Sequence, residues 1–206
     1  MTPKRRIALV AVALVAALGL KVAEAAAPDS ALTSTEDMSI GNPKAKITVI
    51  EYGSASCPHC AAFSNEVFPE FKKKYVDTGK VHYVFREFLT PPQEFAAAGF
   101  MAARCAGPTK YFPFLEALYA DQAKIYESGD MIGGLRKIAH AQGLTDQQFE
   151  GCIFDQKALQ ALNKRVSKSE SDGVEATPTF VIGSKKLEGA QSLQQLASVI
   201  DPQLAN

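Results

Sequence analysis

Lys46-Ile47-Thr48-Val49-Ile50-Glu51-Tyr52 is a β-branched run whose apolar side chains fall on both faces of an extended chain, the pattern of a strand buried at the centre of a sheet. After Gly53-Ser54-Ala55-Ser56 the period changes. Cys60, Phe63, Val67 and Phe71 recur at steps of three and four, which predicts an amphipathic helix with Cys60 on its inward stripe. Cys57, at the helix entry, lies off that stripe and is expected to be exposed. Pro69 falls inside the pattern, removes one helical hydrogen bond and predicts a kink. Asp77-Thr78-Gly79 then turns the chain into residues 80–88, rich in β-branched and aromatic residues and read as a second strand. Strand, helix, strand predicts a parallel βαβ unit that Thr90-Pro91-Pro92 closes.

From Gln93 to about Asp172 the periodicity is helical throughout. Helices are predicted over 93–106, 111–122, 130–142, 146–153 and 156–171, punctuated by Gly107-Pro108, Gly129, Gly143 and Gly151, with a capping box at Thr145-Asp146-Gln147-Gln148. Strand signals return at 179–182 and, across Gly183-Ser184, at 185–188, a hairpin. A last helix over 191–200 puts Leu193, Leu196 and Ile200 on one face. The outline is α/β: a first half at 41–92, a helical insertion at 93–172 and a second half, ββα, at 173–206.

The first 25 residues have a different character. Lys4, Arg5 and Arg6 precede an apolar and glycine run of 14 residues, Ile7 to Leu20, shorter than the ~20 a spanning helix needs. Ala23-Glu24-Ala25 offers the small-x-small pattern of a cleavable signal peptide; an uncleaved inner-membrane anchor is the alternative. Residues 26–40 are small, polar and alanine-rich, a flexible tether, with order expected from about Met38. Either reading of the leader sends the folded part out of the cytosol, where disulfides persist. Formal net charge is zero, with 22 basic and 22 acidic residues in a chain of 206, so no electrostatic footprint points to nucleic acid.

Export changes the meaning of the four cysteines. They allow three pairings; the short spacing favours Cys57 with Cys60, which leaves Cys105 with Cys152 as a structural bridge. A Cys-x-x-Cys pair is also half of a zinc site, yet His82, His140, Cys105 and Cys152 lack the spacing of the other half. An inert staple is the third reading, and so short a loop adds little stability. Redox chemistry explains more of the residues. At a strand-to-helix junction Cys57 faces unpaired N–H groups and the positive end of the helix dipole, which favour its thiolate. Pro58 suits the first helical turn, and His59 can donate a hydrogen bond or positive charge to the same sulfur. A stabilised thiolate is a good leaving group, so the Cys57–Cys60 disulfide becomes oxidising, with Cys60 the buried resolving partner. Glu51, inside an apolar strand, would be desolvated with a raised pKa, as a proton carrier requires.

Glu51 through Cys60, the helical block and Thr177-Pro178-Thr179 together resemble the DsbA family of bacterial periplasmic thiol oxidoreductases, over about residues 41–205. The resemblance implies a thioredoxin fold interrupted by a helical insertion, Cys57-Pro58-His59-Cys60 as the catalytic motif, and Glu51 as the family's buried acid. It also implies a cis-proline at Pro178, before a late strand and facing the cysteine pair, where the backbone of Thr177 can receive an extended substrate. Thr177 stands where the best-known oxidases carry valine and the isomerase branch threonine. Isomerases carry a substantial N-terminal dimerisation domain, and only about fifteen residues lie here between the expected cleavage point and the first turn. The implied function is introduction of disulfides into unfolded exported proteins by a monomer that needs no small-molecule cofactor and is reoxidised by a DsbB-like quinone-linked membrane protein. A disulfide isomerase or reductase, and a non-enzymatic metal-binding or chaperone module, are the alternatives.

Overall fold

The computed structural model describes residues 36–205; the expected signal peptide, 1–25, and most of the expected tether lie outside them. Five strands form one sheet in the order β1-β3-β2-β4-β5: β1 (Met38–Gly41), β2 (Ile47–Gly53), β3 (Val81–Glu87), β4 (Thr179–Ile182) and β5 (Lys185–Glu188). The β2 run pairs in parallel with β3, Glu51 opposite Phe85, and antiparallel with β4, Glu51 opposite Phe180. That central position is the one its two-faced apolar pattern predicts. β1 was not foreseen. Residues 38–40 sit at the end of the stretch read as a tether, but Met38 and Ile40 alternate inward while Ser39 faces out, and β1 adds to the sheet antiparallel to β3. Four residues, one of them glycine, are too few for that period to register in the sequence.

One continuous helix, α1 (58–76), follows β2. Its kink takes a specific form: the helix widens into π-turns at Phe63–Val67 and Lys72–Val76, and Pro69 falls in the first turn of the α-helical piece between them, Phe68–Phe71. A wide turn just ahead of the proline leaves its missing N–H at a position that needs no partner.

The insertion comprises α2 (Gln93–Cys105), α3 (Tyr111–Ser128), α4 (Met131–Ala141), α5 (Asp146–Ile153) and α6 (Gln156–Ser171), and α7 (Leu193–Ala205) closes the fold. Two helices outrun their predicted ends. α3 continues past Gln122 because Ile125 extends the buried stripe, and it stops only at Gly129, in the left-handed conformation at φ 70°. α7 continues through Pro202, and Leu204 packs against the core. On one face of the sheet Val49, Tyr83 and Phe85 join the main core with α1, α7 and the insertion. On the other, Ile50, Tyr52 and Val84 form a smaller cluster with Val174. Glu87, at the end of β3, is buried and ion-paired with Arg104 of α2 and Arg165 of α6, both Nε–O distances being 2.5 Å, while Tyr111 of α3 donates to it. A single carboxylate thus ties three insertion helices to the sheet. The Cys105–Cys152 disulfide joins the end of α2 to α5, with Cα atoms 6.1 Å apart.

Candidate active site

Gly53 ends β2 in close packing: a Cβ there would lie 2.7 Å from the Phe85 ring, so the chain can leave the sheet at this point only as glycine. The next residues bring Cys57 to the N-cap of α1, where its backbone is still extended, φ −80° and ψ 120°, and its sulfur accepts from the Cys60 N–H at 3.4 Å. Pro58 occupies the first turn. The sequence argument for a helix-entry thiol therefore has its geometry.

Exposure differs from the expectation. Cys57 is only 6% exposed and Cys60 fully buried. The helical phase places Cys57 off the inward stripe, but Thr177, 120 residues away, closes over it from the loop ahead of β4: the Cys57 thiol meets the Thr177 carbonyl at 3.3 Å. The Thr177–Pro178 peptide is cis, as is Pro91–Pro92. The Thr177 hydroxyl is buried and has no hydrogen-bond partner among the described residues, so it is available to a sulfur that becomes negative.

Several groups favour that charge. The Cys57 thiol is lowered to about 5, first by a hydrogen bond from the Cys60 thiol, against the cost of its burial, then by Thr177 and by the backbone N–H groups of Cys60 and His59. His59 acts through its main chain; its imidazole stands exposed at the first turn of α1. Cys60 moves the opposite way, well above the ordinary thiol range, because it is desolvated and because it donates to Cys57. The two sulfurs are thereby separated into one that ionises easily and one that holds its proton.

Glu51 is buried beneath them. Burial pushes its carboxyl up to about 8, with the Cys57 charge adding to the effect and a hydrogen bond from the Tyr83 hydroxyl opposing it. A cavity of about 20 Å³ adjoins Glu51, bounded by Tyr83 and Tyr119 and reaching outward to Ser64 and Glu116. This is room for about one water molecule. Tyr83 carries no signal in the sequence beyond being one aromatic residue of a strand.

The insertion supplies a set of contacts that the sequence did not disclose. From α3, the Tyr119 hydroxyl donates to the Ser54 carbonyl at 3.1 Å and Tyr126 to the Ser56 carbonyl at 2.8 Å. Between them the Gln122 amide donates to the Ala55 carbonyl at 2.9 Å and approaches the Cys57 carbonyl at 3.5 Å. On the other side of the loop the Ser54 and Ser56 hydroxyls bond each other, and Ser56 donates to the Thr90 carbonyl at 2.6 Å. Among the described residues, no group of three or more His, Cys, Asp or Glu is placed to hold a metal ion. No described helix is long and apolar enough to cross a membrane.

A family model described as Thioredoxin matches residues 33–202. A curated relative from Rickettsia bellii, named "Putative protein-disulfide oxidoreductase", is 33% identical over 167 residues, 80% of this chain and 63% of its own. The chain thus spans about three fifths of the length of the first such relatives. Among solved structures, Wolbachia pipientis alpha-DsbA1 is 30% identical with a TM-score of 0.77, covering 87% of this chain and 96% of that one. BdbD from Bacillus subtilis, at 20% identity and a TM-score of 0.74 over 82% and 94% of the two chains, shares the fold. A Cys-Pro-His-Cys helix entry facing a cis-proline, a sheet of this topology and these matches lead to one statement: the chain belongs to the thioredoxin family, as a DsbA-like member with a helical insertion.

Proposed function

We propose that this protein is a thiol-disulfide oxidoreductase that introduces disulfide bonds into exported proteins through Cys57 and Cys60. The observation that carries the reading is Cys57 at the N-cap of α1, its sulfur accepting the Cys60 N–H and meeting the Thr177–Pro178 cis peptide, with Cys60 fully buried beside it; the Cys57 thiol is accordingly lowered to about 5 and Cys60 raised. A low-pKa Cys57 stabilises the dithiol form and makes that sulfur the better leaving group, so the disulfide form is the donor of oxidising equivalents.

In the forward reaction a substrate thiolate attacks Cys57 of the Cys57–Cys60 disulfide. A mixed disulfide forms and the Cys60 sulfur leaves with the bonding pair. Because Cys60 is buried and strongly basic as a thiolate, it takes up a proton, and Glu51, still protonated at neutral pH, is the nearby acid; the small cavity toward Ser64 and Glu116 offers the carboxyl a way to regain it. A second substrate thiolate then attacks the substrate sulfur of the mixed disulfide and releases the Cys57 thiolate. Two electrons pass from substrate to enzyme, and a substrate disulfide replaces two thiols. Thr177 and Pro178 receive the substrate backbone beside Cys57, and His59 contributes at the helix entry.

The wider reading places the protein in the periplasm as a monomer, acting on unfolded proteins with free thiols. The reactive disulfide is the only redox group required, and a DsbB-like quinone-linked membrane oxidase restores it. The test supplies the mature protein, in disulfide form, with reduced ribonuclease in one reaction and scrambled ribonuclease in another. Faster recovery of activity from reduced ribonuclease, abolished by Cys57→Ser, supports the oxidase; faster rescue of the scrambled enzyme would make it an isomerase.

A further inference from the structure

Three donors on one face of α3, Tyr119, Gln122 and Tyr126, reach the carbonyl groups of four consecutive residues, 54 to 57. The spacing of three and four residues puts them on a single helical stripe aimed at the loop that carries Cys57. Gln122 is central among them and 2% exposed, an uncharged amide in an otherwise apolar stripe that includes Leu118 and Ile125. Burying such an amide is unfavourable unless its donors are used, and here they turn to the loop, toward the Ala55 and Cys57 carbonyls.

The loop needs these partners. Between the end of β2 and the first helical bonds of α1, Ala55 and Ser56 are buried, and their carbonyls lie outside the strand ladder and the helix. The Ser54 carbonyl already accepts the Cys57 N–H at 3.1 Å and the Cys57 carbonyl the Ala61 N–H at 3.1 Å. The N–H groups that meet the Cys57 sulfur belong to the next turn, residues 59 and 60, so holding the carbonyls of residues 54–57 on α3 fixes where that sulfur sits relative to them. The same face lies close enough to feel the thiolate: the Tyr126 hydroxyl is pushed up to about 12 by burial and by the Cys57 charge.

We propose that Gln122 is a positioning residue for the exchange reaction: from the helical insertion it holds the carbonyls of residues 55 and 57, and thereby the place of the Cys57 sulfur against the N–H groups at the start of α1. The insertion then acts on the redox pair through the backbone as well as covering it. This inference rests on Cys57 being the reactive thiolate.

The test is the titration of the Cys57 thiolate by its ultraviolet absorbance in the reduced mature protein, with the glutathione equilibrium measured alongside. Gln122→Met keeps the side-chain volume and removes both donors. Its Cys57 pKa is expected to rise by about one unit, tenfold less thiolate at a fixed pH below the pKa, and its potential to fall by about 30 mV, the equivalent of tenfold for two electrons. Tyr126→Phe removes a single, half-buried hydroxyl and is expected to shift the pKa the same way by less, which keeps the test open if Gln122→Met fails to fold. Leu118→Val, on the same helical stripe but with no donor to the loop, is the control for simple loosening: its melting temperature falls and its pKa does not move. If Gln122→Met and Tyr126→Phe lower stability and leave the pKa and potential at the wild-type values, the inference is wrong. If the wild-type Cys57 titrates near an ordinary thiol, the proposed function itself fails before the variants are compared.

Discussion

In the proposed function Cys57 carries the chemistry, and the form of its control decides what can be measured. Its folded pKa of about 5 lies below the 9.0 of an unperturbed thiol. Between those two values the unfolded reduced chain binds more protons than the folded one, so the stability of the reduced form rises with pH across that window and is lost as pH falls through about 5. Denaturant midpoints of the reduced and disulfide forms should therefore diverge in favour of the reduced form between about pH 5 and pH 9; a pH-independent difference would contradict the thiolate. Glu51 has the opposite sign. Its folded pKa of about 8 exceeds 4.5, so the unfolded chain ionises first and stability is lost as pH rises from 4.5 to 8. The groups around it, Tyr83, Tyr119, Cys57 and Cys60, offer no cation to relieve that loss. Glu51→Gln is expected to stabilise the protein at pH 8 more than at pH 4, while slowing exchange with substrate thiols near pH 7. An unchanged exchange rate would remove Glu51 from proton transfer. At this scale the helix-entry residues and Glu51 were legible, because a Cys-x-x-Cys pair and an acid in an apolar strand both break a local pattern. The helix-entry N–H groups on Cys57 were legible in the same way; the burial of its sulfur was not, because the Thr177 carbonyl reaches it by a loop closure across 120 residues that no local pattern announces.

Elements were read well where the period was long. β2, β3, the β4–β5 hairpin and the helices at 146–153 and 156–171 follow from alternation, helical steps and caps; Thr145 and Asp155 both accept from the backbone at their helix starts. The misses have local causes. A four-residue edge strand shows almost no period, and Gln122 reads as the polar end of α3 when it is a buried member of its stripe. That misreading hid Tyr126 as well. The disulfide between α2 and α5 belongs to this scale, since it holds two insertion helices together away from the loop of Cys57. Closing 47 positions is worth about 4 kcal/mol on the chain-entropy estimate. Replacing Cys105 and Cys152 together by serine is expected to lower the melting temperature by roughly 10 °C, as that energy implies for a domain of this size. An unchanged melting temperature would deny the bridge its structural role.

The whole molecule is a thioredoxin fold whose two halves meet only after the insertion has been built between them. β4, which brings Pro178 to the cysteines, lies beside β2 in the sheet but more than a hundred residues from it in sequence. The insertion is anchored at both sides of the junction: Glu87 binds it to the end of β3, and the α3 donors bind it to the loop entering α1. Burial on this scale desolvates Cys60 and Glu51 while leaving Cys57 with hydrogen-bond donors. In the proposed function the result is a Cys57–Cys60 disulfide poised to be given away. Equilibrating the mature protein with glutathione buffers and reading the fraction of Cys57–Cys60 disulfide tests that claim most directly. An oxidising couple, between about −180 and −120 mV, is expected; a potential near about −270 mV, that of a reductant of the thioredoxin type, would contradict it.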